Sequence, residues 1–203
     1  MLAGRPAMNI CVLGADHHPL TLAVAGAVVG DLASNGGWTD PGHGVQLARQ
    51  TLRQCRSLVW HRQLFGLQQP EPSFGRRWLS LLPSRTFLSQ LGDDDLTPLP
   101  ATVPTSAGEL LYVGGPVGPE LERALSATQA HRIEVGTTVR APYRTKGSIE
   151  LTALTPPQLI DAPARSCRTC DAGLVDGWCA FCNQRTDGPS MINSEQPVSV
   201  PTA

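Results

Sequence analysis

Hydrophobic positions in the first half of the chain point mainly to helices. Residues 8–14 form a short apolar segment that predicts a buried strand ending at a glycine. An unbroken apolar run then predicts a buried helix over residues 19–34, and the Asn-Gly-Gly sequence at 35–37 supplies its stop signal. A shorter helical stretch is predicted over residues 74–91, interrupted by Pro83.

The clearest amphipathic pattern covers residues 45–65 and predicts one helix. Its apolar positions recur at i, i+4, i+7 and i+11, and they are Ala48, Leu52, Cys55 and Val59. Arginines follow the neighbouring stripe at the same spacing, and they are Arg49, Arg53 and Arg56. The pattern therefore predicts a helix with one apolar face beside a basic one.

The second half favours strands. Residues 109–113 predict a strand and residues 118–130 a helix, and the Gly-rich loop between them is interpreted as a turn. Two alternating runs, at 133–139 and 149–153, predict a β-hairpin or two strands of a small barrel. The chain is therefore predicted to have an α+β fold.

Composition shifts suggest how the chain is organised. A mainly helical region is predicted over residues 1–92 and a linker rich in Asp and Pro over 93–106. A strand-rich region follows over 107–160, then a small cysteine-rich module over 165–185. The polar tail at 186–203 has no periodicity and is predicted to be disordered.

The net charge of the chain does not favour any class of partner. The 203 residues carry a net charge of −1, so attraction to nucleic acid or membrane would have to be local. Of the 16 basic residues only Lys146 is a lysine, a bias typical of GC-rich genomes that suggests a bacterial or phage source. The longest apolar run is too short to cross a membrane, so no membrane association is expected.

Six cysteines are present, and four of them are clustered. Cys11 and Cys55 are isolated, whereas Cys167, Cys170, Cys179 and Cys182 form two Cys-x-x-Cys pairs. A secreted disulfide protein would space its cysteines through the fold, so this pattern favours a reduced, cytoplasmic chain with one metal site.

The spacing of the two pairs suits tetrahedral zinc. Four thiolates satisfy the ion, and an Asp-Gly turn at residues 176–177 predicts the hairpin that brings the second pair back to the first. Asp171 and Asn183 follow the two pairs, where the backbone often turns left-handed. A redox dithiol pair and a rubredoxin-like iron site are the alternatives.

Residues 167–182 resemble the zinc-ribbon group of modules. That resemblance implies one structural zinc ion, and it implies service in nucleic-acid machinery, in protein docking or in stapling the fold. The exposed surface of such a module is predicted to include Arg168, Trp178, Phe181 and Arg185.

A second candidate surface is basic and interleaved with aromatic residues, a pattern that suits phosphate contact and base stacking. Its candidate nucleic-acid or partner residues are Arg49, Arg53, Arg56, Arg62, Arg76, Arg77, Arg140, Arg144 and Lys146. Two alternatives remain open: the aromatic residues form core beneath a solvated basic rim, or the helix docks on an acidic protein.

Asp16, His17 and His18 form a third candidate site. The tripeptide follows a predicted strand and resembles the metal-binding motif of the DHH phosphoesterases, which implies a metal-dependent hydrolase. The simpler interpretation makes Asp16 the N-cap of the following helix. The function predicted is a non-enzymatic zinc-ribbon binding or adaptor protein, with nucleic acid as one partner class. A hydrolase and an assembly protein of a complex or virion are the alternatives.

Overall fold

The structure is a computed structural model that describes residues 13, 16–37, 40–83, 85–93, 95–135, 147–158 and 161–185. The helices in these ranges are α1 Pro19–Ser34, α2 Pro41–Gln54, α3 Phe74–Leu79 and α4 Pro119–Ser126. The strands are β1 Cys55–His61, β2 Phe87–Gln90, β3 Leu96–Pro98, β4 Leu110–Val113, β5 His131–Glu134, β6 Ile149–Leu154, β7 Trp178–Cys179 and β8 Gln184–Arg185. The α+β fold is confirmed.

Six strands form one mixed sheet in the order β3-β2-β1-β6-β4-β5. All neighbours are antiparallel except β4 and β5, which are parallel and joined by the crossover helix α4. Strands from both sides of residues 93–106 lie in this sheet, and that segment contributes β3 itself. The predicted regions 1–92 and 107–160 therefore share one sheet.

Each face of the sheet is covered by helix. On one face, Leu58 and Trp60 of β1 join a cluster with Leu121 and Leu125 of α4. On the opposite face, α1 packs over the ends of β1 and β6 through a smaller cluster, whose buried members are Leu20, Val24, Cys55 and Leu154. Because β1 is covered on both faces, six of its seven residues are buried.

The prediction of one helix over residues 45–65 is wrong. The helix α2 ends at Gln54, and the following seven residues form β1. A strand buried on both faces carries a continuous apolar run, and Leu58-Val59-Trp60 is such a run. Two apolar positions of β1 coincide with helical spacing from α2, so periodicity alone could not separate the two elements.

Two further sequence predictions are corrected by the sheet. Among the described residues of the predicted stretch 74–91, only Phe74–Leu79 is helical, and residues 87–90 form β2. The runs near 133 and 149 do not form a hairpin, since β5 pairs with β4 and lies two positions from β6. The predicted helix over 19–34 is confirmed as α1. The predicted strand at 8–14 and tail at 186–203 fall almost entirely outside the described residues.

A buried carboxylate from the sheet caps α1. The N-cap residue is His18 rather than the predicted Asp16, and its side chain makes no capping bond. Instead, the Leu20 amide donates to Glu150 Oε2 of β6 at 2.8 Å. Thr21 exchanges hydroxyl hydrogen bonds with Ser57 and Thr152 at 2.7 and 2.8 Å. The interface between α1 and the sheet is thus polar at its start and apolar further along.

His61 is fully buried at the end of β1. Its Nδ1 and Nε2 atoms lie 3.0 and 2.9 Å from the hydroxyls of Ser148 and Ser89. Burial, together with the smaller effect of the nearby His18 charge, lowers the pKa of His61 to about 4. The neutral imidazole is therefore the form that suits the folded state.

None of the helices in the described part of the chain is long and apolar enough to cross a membrane.

We expect the folded state to lose stability as the pH falls through the range set by His61. Its pKa is lowered on folding, so its contribution is complete above the unfolded value of 6.5 and is lost as the pH falls toward about 4. The loss should approach about 3 kcal/mol. Denaturant unfolding of the native chain and of His61→Gln at several pH values measures it, and an equal acid slope in both proteins would contradict the assignment.

Candidate metal centre

The four clustered cysteines converge on one point. Within the described part of the chain, Cys167, Cys170, Cys179 and Cys182 form the one group of metal-binding type, and their Sγ atoms all lie within 4.8 Å of one another. The Sγ atoms of Cys170 and Cys179 lie 3.4 Å apart. Tetrahedral thiolates at about 2.3 Å from an ion would be separated by about 3.8 Å. The four residues are therefore close enough to bind one metal ion.

Both Cys-x-x-Cys pairs place a backbone amide against the first sulfur, from the residue two positions later in the first pair and three positions later in the second. The Thr169 amide donates to Cys167 Sγ, and the Cys182 amide donates to Cys179 Sγ, each at 3.4 Å. The chain then closes on the carbonyl of the first cysteine, through the Asp171 amide in one pair at 2.8 Å and the Asn183 amide in the other at 3.0 Å. Such amides favour the ionised form of the sulfur that they contact.

Asp171 and Asn183 have φ values of 60° and 55°. These left-handed conformations confirm the expectation drawn from their positions after the two pairs. Asn and Asp tolerate this region better than most residues other than Gly. The residue that follows each cysteine pair therefore favours the left-handed turn found there.

A tight hairpin returns the chain between the pairs. Asp176 and Gly177 have φ values of 52° and 74°, as a two-residue turn with both residues left-handed requires. Val175 and Trp178 exchange both backbone hydrogen bonds, at 2.9 and 3.0 Å. The hairpin predicted from Asp-Gly is confirmed, and β7 then pairs with β8 to complete the ribbon.

The thiols differ in environment. Cys167 and Cys179 are buried with Leu174, whereas Cys170 is exposed. The Thr169 amide, followed by that of Cys170, lowers the pKa of the Cys167 thiol to about 6. Cys167 therefore offers a thiolate at neutral pH, as metal binding needs.

One carboxylate oxygen connects the cysteine module to the start of α2. Asp40 Oδ1 caps α2 by accepting the amides of Gly42 and His43 at 2.7 and 3.1 Å. The same oxygen accepts the Gly173 amide at 2.9 Å, from between the two cysteine pairs. Asp40 therefore serves two segments that are 133 residues apart in the chain.

Two glycines permit this close approach. A Cβ added to Gly42 would overlap the carbonyl group of Gly173. A Cβ added to Gly173 would lie 2.7 Å from Pro163 Cγ and 2.8 Å from Asp40 Oδ1. The backbones of residues 42 and 173 are therefore in direct contact, and no local sequence pattern predicts this contact. The N-cap position of Asp40, before Pro41, was the available signal.

The predicted basic residues do not share one helix. Arg49 and Arg53 lie on α2, Arg56 lies on β1, and Arg62 follows β1 at the surface. Arg76 and Arg77 lie on α3. The remaining candidates, Arg140, Arg144 and Lys146, fall outside the described residues.

Carboxylates neutralise half of the described basic candidates. Arg56 pairs with Glu109 at 2.7 Å. Arg76 pairs with Asp95 at 2.7 Å. Arg77 pairs with Glu71 at 3.3 Å. These pairs reduce the charge that the surface offers to an anionic partner.

The histidine motif forms no metal group with other described residues. Asp16 is exposed, His17 is half-buried and His18 is buried. His17 Nδ1 lies 3.4 Å from the Ser57 hydroxyl. Burial, and to a smaller extent the charge of His17, lowers the pKa of His18. The motif therefore lies at the start of α1 as part of its packing on β1.

Comparisons with known proteins do not identify a family. No protein-family model matches the chain, and no curated protein matches it. Among solved structures it is similar to a DegV family protein from Corynebacterium glutamicum, with a TM-score of 0.39 and 9% identity. The match covers 68% of this chain and 61% of that one, so the chain spans less than two thirds of its length. A similarity this weak supports no functional argument.

We expect purified protein to contain about one metal ion per chain, since the four thiols complete a tetrahedral ligand set. Cys170→Ser combined with Cys182→Ser should abolish metal binding, measured by elemental analysis. Cys55→Ser is the control, because that buried cysteine lies outside the cluster. Metal retained by the double variant would contradict the assignment.

Removing the shared carboxylate should weaken the docking of the module. Asp40→Ala leaves three amides without their acceptor and should cost about 2–3 kcal/mol in free energy of unfolding. Asp40→Asn keeps an acceptor oxygen and should cost clearly less. Denaturant unfolding gives the free energies, and hydrogen exchange at the Gly173 amide reports the docking itself. Equal exchange rates in the native chain and Asp40→Ala would show that the tether has no energetic role.

Proposed function

We propose that this chain is a non-enzymatic zinc-binding protein whose cysteine module presents a rigid contact surface to single-stranded nucleic acid. The observation that carries the proposal is an exposed aromatic side chain on the ribbon beside an arginine that has no ion-pair partner among the described residues. Trp178 is 39% exposed although it directly precedes the buried Cys179, and Arg185 is its cross-strand partner.

Zinc is the proposed ion because the ligand set is four sulfurs. Thiolates in a tetrahedron select zinc or iron over hard cations, and zinc predominates in short structural modules built from two Cys-x-x-Cys pairs. Four protein ligands leave no open coordination position, so the ion would stabilise the module and would not bind substrate. This supports a binding role over a catalytic one.

The contact surface has the chemistry that single strands require. An exposed indole offers a stacking face to any base, and a neighbouring guanidinium offers contact to phosphate. Arg168 and Arg185 are exposed and have no ion-pair partner among the described residues. Phe181 is half-buried against the cysteine core and would support the surface from beneath.

The basic candidates outside the cysteine module would contribute less to binding than Trp178 and Arg185. Arg49, Arg53 and Arg62 lack ion-pair partners within the described ranges, so they could extend an electrostatic path beyond the ribbon. By contrast, the arginines of α3 are paired with carboxylates. Arg140, Arg144 and Lys146 remain candidates on sequence grounds alone.

A second candidate function is assembly, and α3 favours it. Phe74 is 76% exposed and Trp78 is 57% exposed, and their rings meet edge to face with centroids 6.0 Å apart. Leu79, Leu81 and Leu82 are also exposed. Exposed apolar groups of this kind often mark a protein interface. Stable oligomers that dissociate on Trp78→Ala would support this alternative.

Nucleic-acid binding is tested by fluorescence anisotropy with labelled single-stranded DNA and RNA of mixed sequence. Trp178→Ala combined with Arg185→Gln should weaken binding by about tenfold or more, since stacking contributes about 1–3 kcal/mol per base. The dependence of log affinity on log salt should also become shallower by about 0.7 for each lost phosphate contact.

The matched comparison removes the same chemical groups from α3. Trp78→Ala combined with Arg77→Gln deletes an exposed indole and a guanidinium away from the ribbon, and it should leave affinity almost unchanged. An equal loss in this variant would move the site to α3. No binding by the native, metal-loaded chain at low salt would refute the nucleic-acid proposal.

A further inference from the structure

A cavity of about 350 Å³ opens where β4 ends and α4 begins, on the α4 side of the sheet. The strands β4 and β5 and the helix between them form the single parallel unit among the described strands. Open sheets in α/β proteins bind ligands outside the carboxyl ends of such strands, near the following helix. The volume is in the range of small-molecule sites, at its lower end.

The loop that forms one wall is held in place by the sheet. The Gly114 amide donates to the Glu150 carbonyl at 3.0 Å. A Cβ on Gly114 would lie 3.1 Å from that carbonyl and 3.1 Å from Leu20 Cδ2. A side chain at position 114 would therefore require its neighbours to shift by a few tenths of an ångström, and the backbone hydrogen bond holds this wall against the sheet.

Residues that carry hydrogen-bond donors line the cavity from several elements. Its lining includes Trp60, Arg62 and Gly118. Trp60 is only 3% exposed, and its buried indole N–H has no acceptor among the described residues. Gly118 is the N-cap of α4 and supplies no side-chain cap, so the first-turn amides have no such acceptor. An unpartnered buried donor normally has an explanation, and a bound acceptor is one.

Opposite charges line the cavity without pairing. Arg62 and Glu120 both contribute to the lining, and neither has an ion-pair partner in the described part of the chain. Glu120 lies in the first turn of α4, where the helix dipole favours a carboxylate. A purely anionic ligand would meet this negative charge, and a purely cationic one would leave the donors unused.

We propose that this cavity binds a free α-amino acid. The carboxylate of the ligand would accept from Arg62 and the Trp60 indole, and its ammonium group would donate to Glu120. Charge-assisted hydrogen bonds of both signs would orient the ligand. Ile149 and Pro116 in the lining would contact an apolar side chain. The site lies outside the cysteine module and does not depend on nucleic-acid binding.

The test follows the Trp60 indole N–H resonance by NMR, assigned with Trp60→Phe. Free L-amino acids are added singly to the full-length, metal-loaded protein, and at least one should shift this resonance with a dissociation constant in the micromolar to millimolar range. Arg62→Gln and Glu120→Gln should each weaken that binding by about tenfold or more. Arg123→Gln removes an equal charge from the exposed part of the same helix and should have no effect.

Ligand analogues assign the contacts. The carboxamide of the bound amino acid should bind weakly, and Arg62→Gln should weaken it little further, whereas Glu120→Gln should still do so. Absence of any shift up to about 10 mM of every amino acid would overturn the proposal. An equal loss in Arg123→Gln, or equal binding of the N-acetyl amide, would also overturn it.

Discussion

Burial of β1 on both faces is the constraint on which the other elements depend. This strand pairs with β2 on one side and β6 on the other, so it joins the antiparallel edge of the sheet to the unit built around α4. Its alternating side chains face α4 in one direction and α1 in the other. The same strand fixes the end of α2 at Gln54, because the extended backbone of β1 begins at the next residue.

The interior beside α1 is unusually polar. Glu150, Thr21, Ser57, Thr152 and His61 are all buried there. Each makes a hydrogen bond with another element of the fold, which offsets the cost of removing polar groups from water. Burial raises the pKa of the Glu150 carboxyl because it disfavours the charged form, and the hydrogen bond from the Leu20 amide opposes this effect. Directional hydrogen bonds in this network position α1 against β1 and β6.

Local chemistry was predictable from sequence, and distant chemistry was not. The cysteine pairs, the Asp-Gly hairpin and the left-handed Asp171 and Asn183 all follow from neighbours within a few residues. The boundary between α2 and β1 was missed because an apolar run fits both helix and strand. The roles of Asp40 and Glu150 were missed because each carboxylate meets an amide 130 or more residues away. Only the folded chain brings Trp60, Arg62 and Glu120 around one cavity.

The sequence distance of these closures affects how the chain is made. Glu150 caps the start of α1, and β1 pairs with β6. Asp40, the N-cap of α2, accepts the Gly173 amide. A ribosome adds about 5–20 residues each second, so the first sixty residues spend several seconds without their final partners. During that interval the apolar segment Leu58-Val59-Trp60 is without its sheet neighbours, and such transient exposure favours aggregation. Contacts between residues this distant in sequence also slow folding, which lengthens the interval of exposure.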